Sequence, residues 1–139
     1  MKIFTVDGTE YRVKVPSKGI KRKFSVLDTS NSGRSVTGDM IRDIIGTYYN
    51  YTIEIYPDKN YMDDYYLLYN ILSSPTDSHY IEVPYNNGKL GFNAYITSGN
   101  DSVITLKDGA KWEGLSLNFI SMSPQWRHDG SLTGFSEVM

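Results

Sequence analysis

The sequence predicts a mainly β protein: a β-sandwich or barrel with one flanking α-helix and an exposed polar arm. Three observations carry that expectation. Alternating apolar and polar residues dominate the 139 positions, only one stretch has helical spacing, and a run of turn-forming polar residues interrupts the strands. A chain of this length fits one domain, expected over 1–125 with a helix near 61–73, followed by a C-terminal tail over 126–139.

Ile3 to Val6 reads as a strand, Asp7-Gly8 as a tight turn, and Tyr11, Val13 and Val15 as one face of the returning strand. Arg12 and Lys14 then point to water. Pro16 to Gly19 breaks the run, and Phe24 and Val26 start another strand behind the basic triplet Lys21, Arg22 and Lys23. From Asp28 to Gly38 the chain is rich in Ser, Thr, Asn and Gly, the composition of a long exposed loop or irregular β-arm. The clearest strand follows. Ile45, Thr47, Tyr49, Tyr51, Ile53 and Ile55 share one face, and Tyr48, Asn50, Thr52, Glu54 and Tyr56 share the other. Gly46 suits a bulge or close approach, and Pro57 ends the strand.

The helix is predicted to start with Asn60 as cap and Asp63 in the first turn, where its charge favours the positive end of the helix dipole. Tyr61, Tyr65, Leu68 and Leu72 form the expected buried stripe, widened by Met62, Tyr66 and Tyr69, and Ser73-Ser74-Pro75 stops the helix. His79 to Pro84 and Lys89 to Thr97 then flank Asn86-Asn87-Gly88, a strong hairpin signal. Leu90, Phe92, Ala94 and Ile96 face inward. Ser98 to Asp101 reads as a turn, Val103 to Leu106 as a short strand, and Asp108-Gly109 as another turn. Leu115, Leu117 and Phe119 mark the last long strand. Beyond Pro124 the pattern weakens, and the segment is expected to order only against a neighbour.

Composition limits the functional classes. No apolar run approaches the ~18 residues of a membrane span. Met1 to Val6 turns polar too soon for a signal peptide, so secretion by the usual route is not expected. With no cysteine there is no disulfide, thiolate metal site or cysteine nucleophile. Net charge is −2, but it is unevenly placed: residues 1–27 carry +5 and the remainder −7. Such a chain can join its copies basic patch to acidic patch, or its charges can mix and cancel on the folded surface.

Nothing in the sequence assembles a catalytic constellation. His79 sits at a strand start and His128 in the tail, contexts too different for a shared metal. Asp39 and Asp43, like Glu54 and Asp58, are four apart, which on a strand spans ~13 Å, too far for a retaining glycosidase pair. Gly33-Arg34 and Gly38 lack the Gly-Lys-Ser/Thr of a phosphate loop, and Ser98 to Asp101 lacks a calcium-loop pattern. No enzyme activity, cofactor or metal is therefore expected. Lys21-Arg22-Lys23-Phe24 is basic beside an aromatic ring. With a pI near 5.6 and no broad basic face, however, nucleic acid is not expected as a specific partner. The 12 Tyr and 2 Trp favour interfaces, and they also keep a glycan-stacking surface open as an alternative.

Two runs carry a family resemblance. The first is Asp28-Thr29, Asn31, Gly33-Arg34, Gly38, Met40, Arg42-Asp43-Ile44 and Gly46 to Tyr51. The second is Trp112, Gly114-Leu115-Ser116, Asn118-Phe119, Met122 and Pro124-Gln125. They resemble small tail-region structural proteins of phages and prophages of Gram-positive bacteria, over about Phe24 to Gln125. The resemblance implies a tail-tube-like or baseplate-like β fold and a role as a virion structural protein. It further implies a ring component made in the host cytoplasm that contacts its own copies or other tail proteins. The alternative is a carbohydrate-binding module for a cell-surface glycan. Expected interface residues are Ser30, Asn31, Ser32, Gly33, Arg34 and Ser35 of the arm, together with Trp126 and Arg127 of the tail. Trp126 is expected to serve assembly, and Trp112 to serve stability because it adjoins the strand of Leu115 and Leu117.

Overall fold

The computed structural model describes residues 3–107 and 109–137. Asp108 of the expected turn, and Met1, Lys2, Val138 and Met139 at the two ends, lie outside the described residues. The chain begins with β1 (Thr5–Val6), β2 (Val13–Lys14) and β3 (Ile20–Asp28), followed by the short pair β4 (Gly33–Arg34) and β5 (Met40–Ile41). The long strand β6 (Ile44–Pro57) leads into α1 (Met62–Ser73). Then come β7 (His79–Tyr85), β8 (Gly88–Tyr95), β9 (Gly99–Leu106), β10 (Gly109–Ser121), β11 (Trp126–Arg127) and β12 (Phe135–Glu137). The expected mainly β chain with one helix is observed, as a curled antiparallel sheet resembling a half-barrel.

Register explains the curl. The sheet runs β1-β7-β8-β10-β6, and β6 is shared between neighbours on both edges. Tyr51 pairs with Arg22 of β3 on one side and Phe119 of β10 on the other. Alternation places Tyr51, Ile53 and Ile55 on the concave face, opposite Phe119, Leu117 and Leu115. Tyr65, Leu68 and Leu72 of α1 close over this face, joined by Phe4, Val6, Ile81, Val83, Leu90 and Phe92. Fully burying an aliphatic or Phe side chain of this kind contributes roughly 1.5–3 kcal/mol.

The helix differs from expectation at its start. Tyr61, not Asn60, occupies the cap position, without a side-chain capping bond. Asp58 takes the Asn60 N–H at 3.0 Å instead, forming the turn that precedes the helix. Tyr61 is exposed rather than part of the buried stripe. It lies under the Arg12 guanidinium, 4.0 Å from the ring centroid, while Arg12 also binds Asp64. This cation–π and carboxylate grip gives the ring a role outside the core.

The expected turn over Ser98 to Asp101 is largely strand. β9 begins at Gly99, and Gly99 and Asn100 pair with Leu117 and Ser116. The expected loose tail is also drawn back onto the sheet. Trp126 and Arg127 pair with Thr47 and Gly46, and Phe135 to Glu137 pair with Leu90 to Gly88. These pairings are two and three residues long, too short to leave an alternating signature in sequence. His79 stands at the start of β7, as expected, and is buried there. Its Nδ1 is 2.8 Å from Asp7 Oδ2, and Asp7 Oδ1 accepts the Tyr80 N–H.

Two β-ribbons leave this packed body in opposite directions. β10 pairs with β6 from Leu115–Ile55 to Ile120–Asn50. Residues 109–113 therefore run past the end of β6, paired only with β9. At the other end, β3 and β6 continue together to Asp28–Ile44, then into the β4–β5 hairpin.

Candidate interaction surfaces

The β3–β6 ribbon carries the concave face of the sheet beyond the core. Phe24 pairs with Tyr49 and Val26 with Thr47, in step with half-buried Ile20 opposite buried Ile53. Here the face is open: Phe24 is 67% exposed, and Val26 and Ile44 are also exposed. The segment Trp126 to Gly130 forms the opposite wall, leaving an open apolar groove of about 480 Å³. Phe24, Val26, Ile44, Tyr49 and Trp126 line it.

Trp126 belongs to the wall as much as to the surface. It is half-buried, and its Nε1–H donates to the Tyr49 hydroxyl at 2.9 Å. The Tyr49 and Tyr85 hydroxyls are 3.0 Å apart, with their rings edge to face at 5.4 Å. Burial and the hydrogen bond with Tyr85 push the Tyr49 hydroxyl pKa up to about 12, against the opposing bond from Trp126. The Arg22 guanidinium lies 5.1 Å from the Tyr85 ring centroid. Next to Trp126, Gln125 is buried and accepts the Tyr49 N–H at 2.8 Å. A Cβ on Gly46 would collide with the Trp126 carbonyl oxygen and with Pro124, so glycine permits this close approach. Arg127 is exposed beside the groove.

The expected arm residues Ser30, Asn31, Ser32, Gly33, Arg34 and Ser35 do project from the body, but they are tied to their own chain. Gly33 and Arg34 pair with Ile41 and Met40. The Thr29 hydroxyl donates to Asp43 Oδ2 at 2.6 Å, and Ser32 Oγ accepts the Asp43 N–H at 2.6 Å. Hydrogen bonds from Thr29 and Asn31 lower the Asp43 pKa from its ordinary value, with burial opposing them. Arg42 grips Asp28 with two bonds, the shorter 2.8 Å. The arm is thus an ordered hairpin, not a segment that waits for a neighbour to shape it. Its exposed apolar residues are Val36, Met40 and Ile41.

The second ribbon, β9–β10, is exposed on both faces. Val103, Ile104, Leu106 and Trp112 are each 40–44% exposed. Trp112 lies opposite Val103 and outside the core, which reverses its expected role. Alternation from Leu117 and Leu115 leads to Glu113 rather than Trp112, and Trp112 lies on the part of β10 that runs past β6 and pairs only with β9, beyond a register shift at Gly114. At the ribbon's root, Tyr56 donates to Glu54 at 2.6 Å, with the charge of Glu113 also felt there. Asp101 accepts the Tyr65 hydroxyl at 2.9 Å. Burial and this bond raise the Tyr65 pKa.

Sequence reasoning therefore found the arm and placed Trp126 at a surface, but it expected Trp112 to support the core. It missed Phe24, Val26, Tyr49 and Ile44 as one continuous surface. Alternation signalled Phe24, Val26 and Tyr49, but Ile44 joins them only through the register shift beside Asp28, and what covers a strand face depends on distant segments. Among the described residues, no group of three or more His, Asp or Glu side chains could hold a metal, and no helix is long and apolar enough to cross a membrane. The chain matches no protein-family model and no curated protein.

Proposed function

We propose that this chain is a structural protein of a phage tail, a baseplate or tail-ring component that assembles through subunit contacts. The observation that carries the reading is the pair of apolar ribbons projecting from opposite ends of one well-packed sheet. Exposed apolar side chains grouped in this way favour burial against protein. Ribbons at opposite ends suit a heterologous contact, in which one patch meets a different patch on the next subunit. The resemblance over Phe24 to Gln125 supplies the context: synthesis in a host cytoplasm and a final place in the virion.

The test is the mass of the purified chain in solution, with electron microscopy of the chain alone and of purified tail particles. Rings, or incorporation into a ring made by other tail proteins, are expected. A strict monomer that is also absent from purified particles contradicts the proposal. Glycan binding that depends on an exposed ring such as Trp112, without incorporation into particles, would make the chain a carbohydrate-binding module instead.

A further inference from the structure

We infer that the β9–β10 ribbon of one copy docks into the groove walled by Trp126 on a second copy, with Trp112 as the inserted side chain. The inference rests on the proposed structural role and specifies the partner of each ribbon.

Both halves of the contact are on one molecule. The groove offers Phe24, Val26, Ile44 and Tyr49 on one side and Trp126 on the other. It opens outward, where the concave face loses its cover. The ribbon offers Trp112 and Val103 on one face, with Ile104 and Leu106 on the other. Because the ribbons leave opposite ends of the sheet, a copy cannot fill its own groove with its own ribbon. Head-to-tail pairing then leaves a free ribbon and a free groove on every dimer, so that addition continues until a ring closes.

Charge favours this pairing over ribbon against ribbon. Arg127 lines the groove, Arg22 stands two residues from Phe24 on the same strand face and over the Tyr85 ring, and Asp129 beside the groove is turned onto Ser131. The ribbon's root carries Glu54, Asp101 and Glu113, with Lys107 and Lys111 nearer the tip. Insertion to the root brings the basic rim toward the acidic root, whereas two like ends would repel. Of the basic residues in the first 27, Lys21, Arg22 and Lys23 lie on exposed β3, while Arg12 is paired with Asp64.

Mixing two variants tests the inference. Trp112→Ala removes the inserted ring but keeps the groove, and Phe24→Asp spoils the groove but keeps the ribbon. Each alone is expected to sediment as a monomer where the wild type assembles, with association weakened at least ~30-fold. Mixed in equal amounts, they should form a dimer and nothing larger, joined through the one intact groove and the one intact ribbon. Both sites are exposed, so each variant should melt with the wild type, and Val26→Asp replaces Phe24→Asp if the latter does not. A wild type that remains monomeric at all concentrations overturns the inference, as does a mixture that stays monomeric or a single variant that assembles normally. The proposed tail role fails by a separate result: absence of the chain from purified particles.

Discussion

The two halves of β6 obey the same alternation and meet different fates. Tyr51, Ile53 and Ile55 are almost wholly buried beneath α1 and beside β10. Ile45, Thr47 and Tyr49 continue that face by sequence spacing, yet they lie where neither covers them, and Ile45 is exposed. Periodicity within a strand states which side chains share a face. It does not state what lies above that face, which other segments decide. Phe24 and Val26 of β3, Ile44 and Ile45 at the start of β6, and the β9–β10 ribbon are therefore the regions whose apolar content the body's own stability does not explain.

The sharpest contrast is between two phenylalanines. Phe119→Ala removes a fully buried ring opposite Tyr51 and should lower unfolding stability by ~3–5 kcal/mol in denaturant titration. Phe24→Ala should change it by no more than ~0.5 kcal/mol, because the ring is mostly in water. Equal losses would place the groove inside the core.

The tryptophans form the next pair. Trp126→Ala should cost ~1–3 kcal/mol, less than a fully buried ring, because it opens the groove wall and frees the Tyr49 hydroxyl. Trp112→Ala should leave the melting temperature of the unassembled chain nearly unchanged. The sequence suggested the opposite assignment. Trp112 adjoins an inward-facing run, and Trp126 follows the last long strand. The position of Trp112 beyond the end of β6 and the brief pairing of Trp126 with Thr47 reverse those inferences. Neither feature has a length or a period that can be read in advance.

Where local chemistry decides, the sequence is far more legible. Tyr65, Leu68 and Leu72, the Asn86-Asn87 hairpin and the Leu115 to Phe119 strand all fall where spacing and turn residues put them. The Asp7–His79 contact depended instead on bringing β1 and β7 together across more than seventy residues.

That contact yields a smaller, pH-dependent effect in the packed body. Burial works to raise the Asp7 pKa, but the bonds from His79 and the Tyr80 N–H outweigh it, so the net shift is downward. A depressed carboxylate stabilises the fold above its unfolded pKa and loses that contribution as pH falls through its folded value. The wild-type melting temperature should therefore drop through and below the usual carboxylate range. Asp7→Asn should start lower at neutral pH and show a shallower acid limb in a melting series. An unchanged acid limb would remove Asp7 from the account.

The smallest effect on folding is expected at the arm. Replacing residues 30–41 by a short turn should alter the melting temperature little, since the β4–β5 hairpin hydrogen-bonds mainly within itself and, through Asn31 and Ser32, to Asp43. The same deletion should weaken assembly. A large loss of thermal stability would instead make the arm part of the body.

Hydrogen exchange compared between assembled and dissociated protein tests the central claim most directly, because it reports where cover is gained. The account predicts new amide protection in Phe24 to Asp28 and Ile44 to Tyr49, and in Val103 to Trp112 of the second ribbon. The buried stretch Tyr51 to Ile55 should change little. Assembly that protects other surfaces and leaves both ribbons exchanging as before would contradict it.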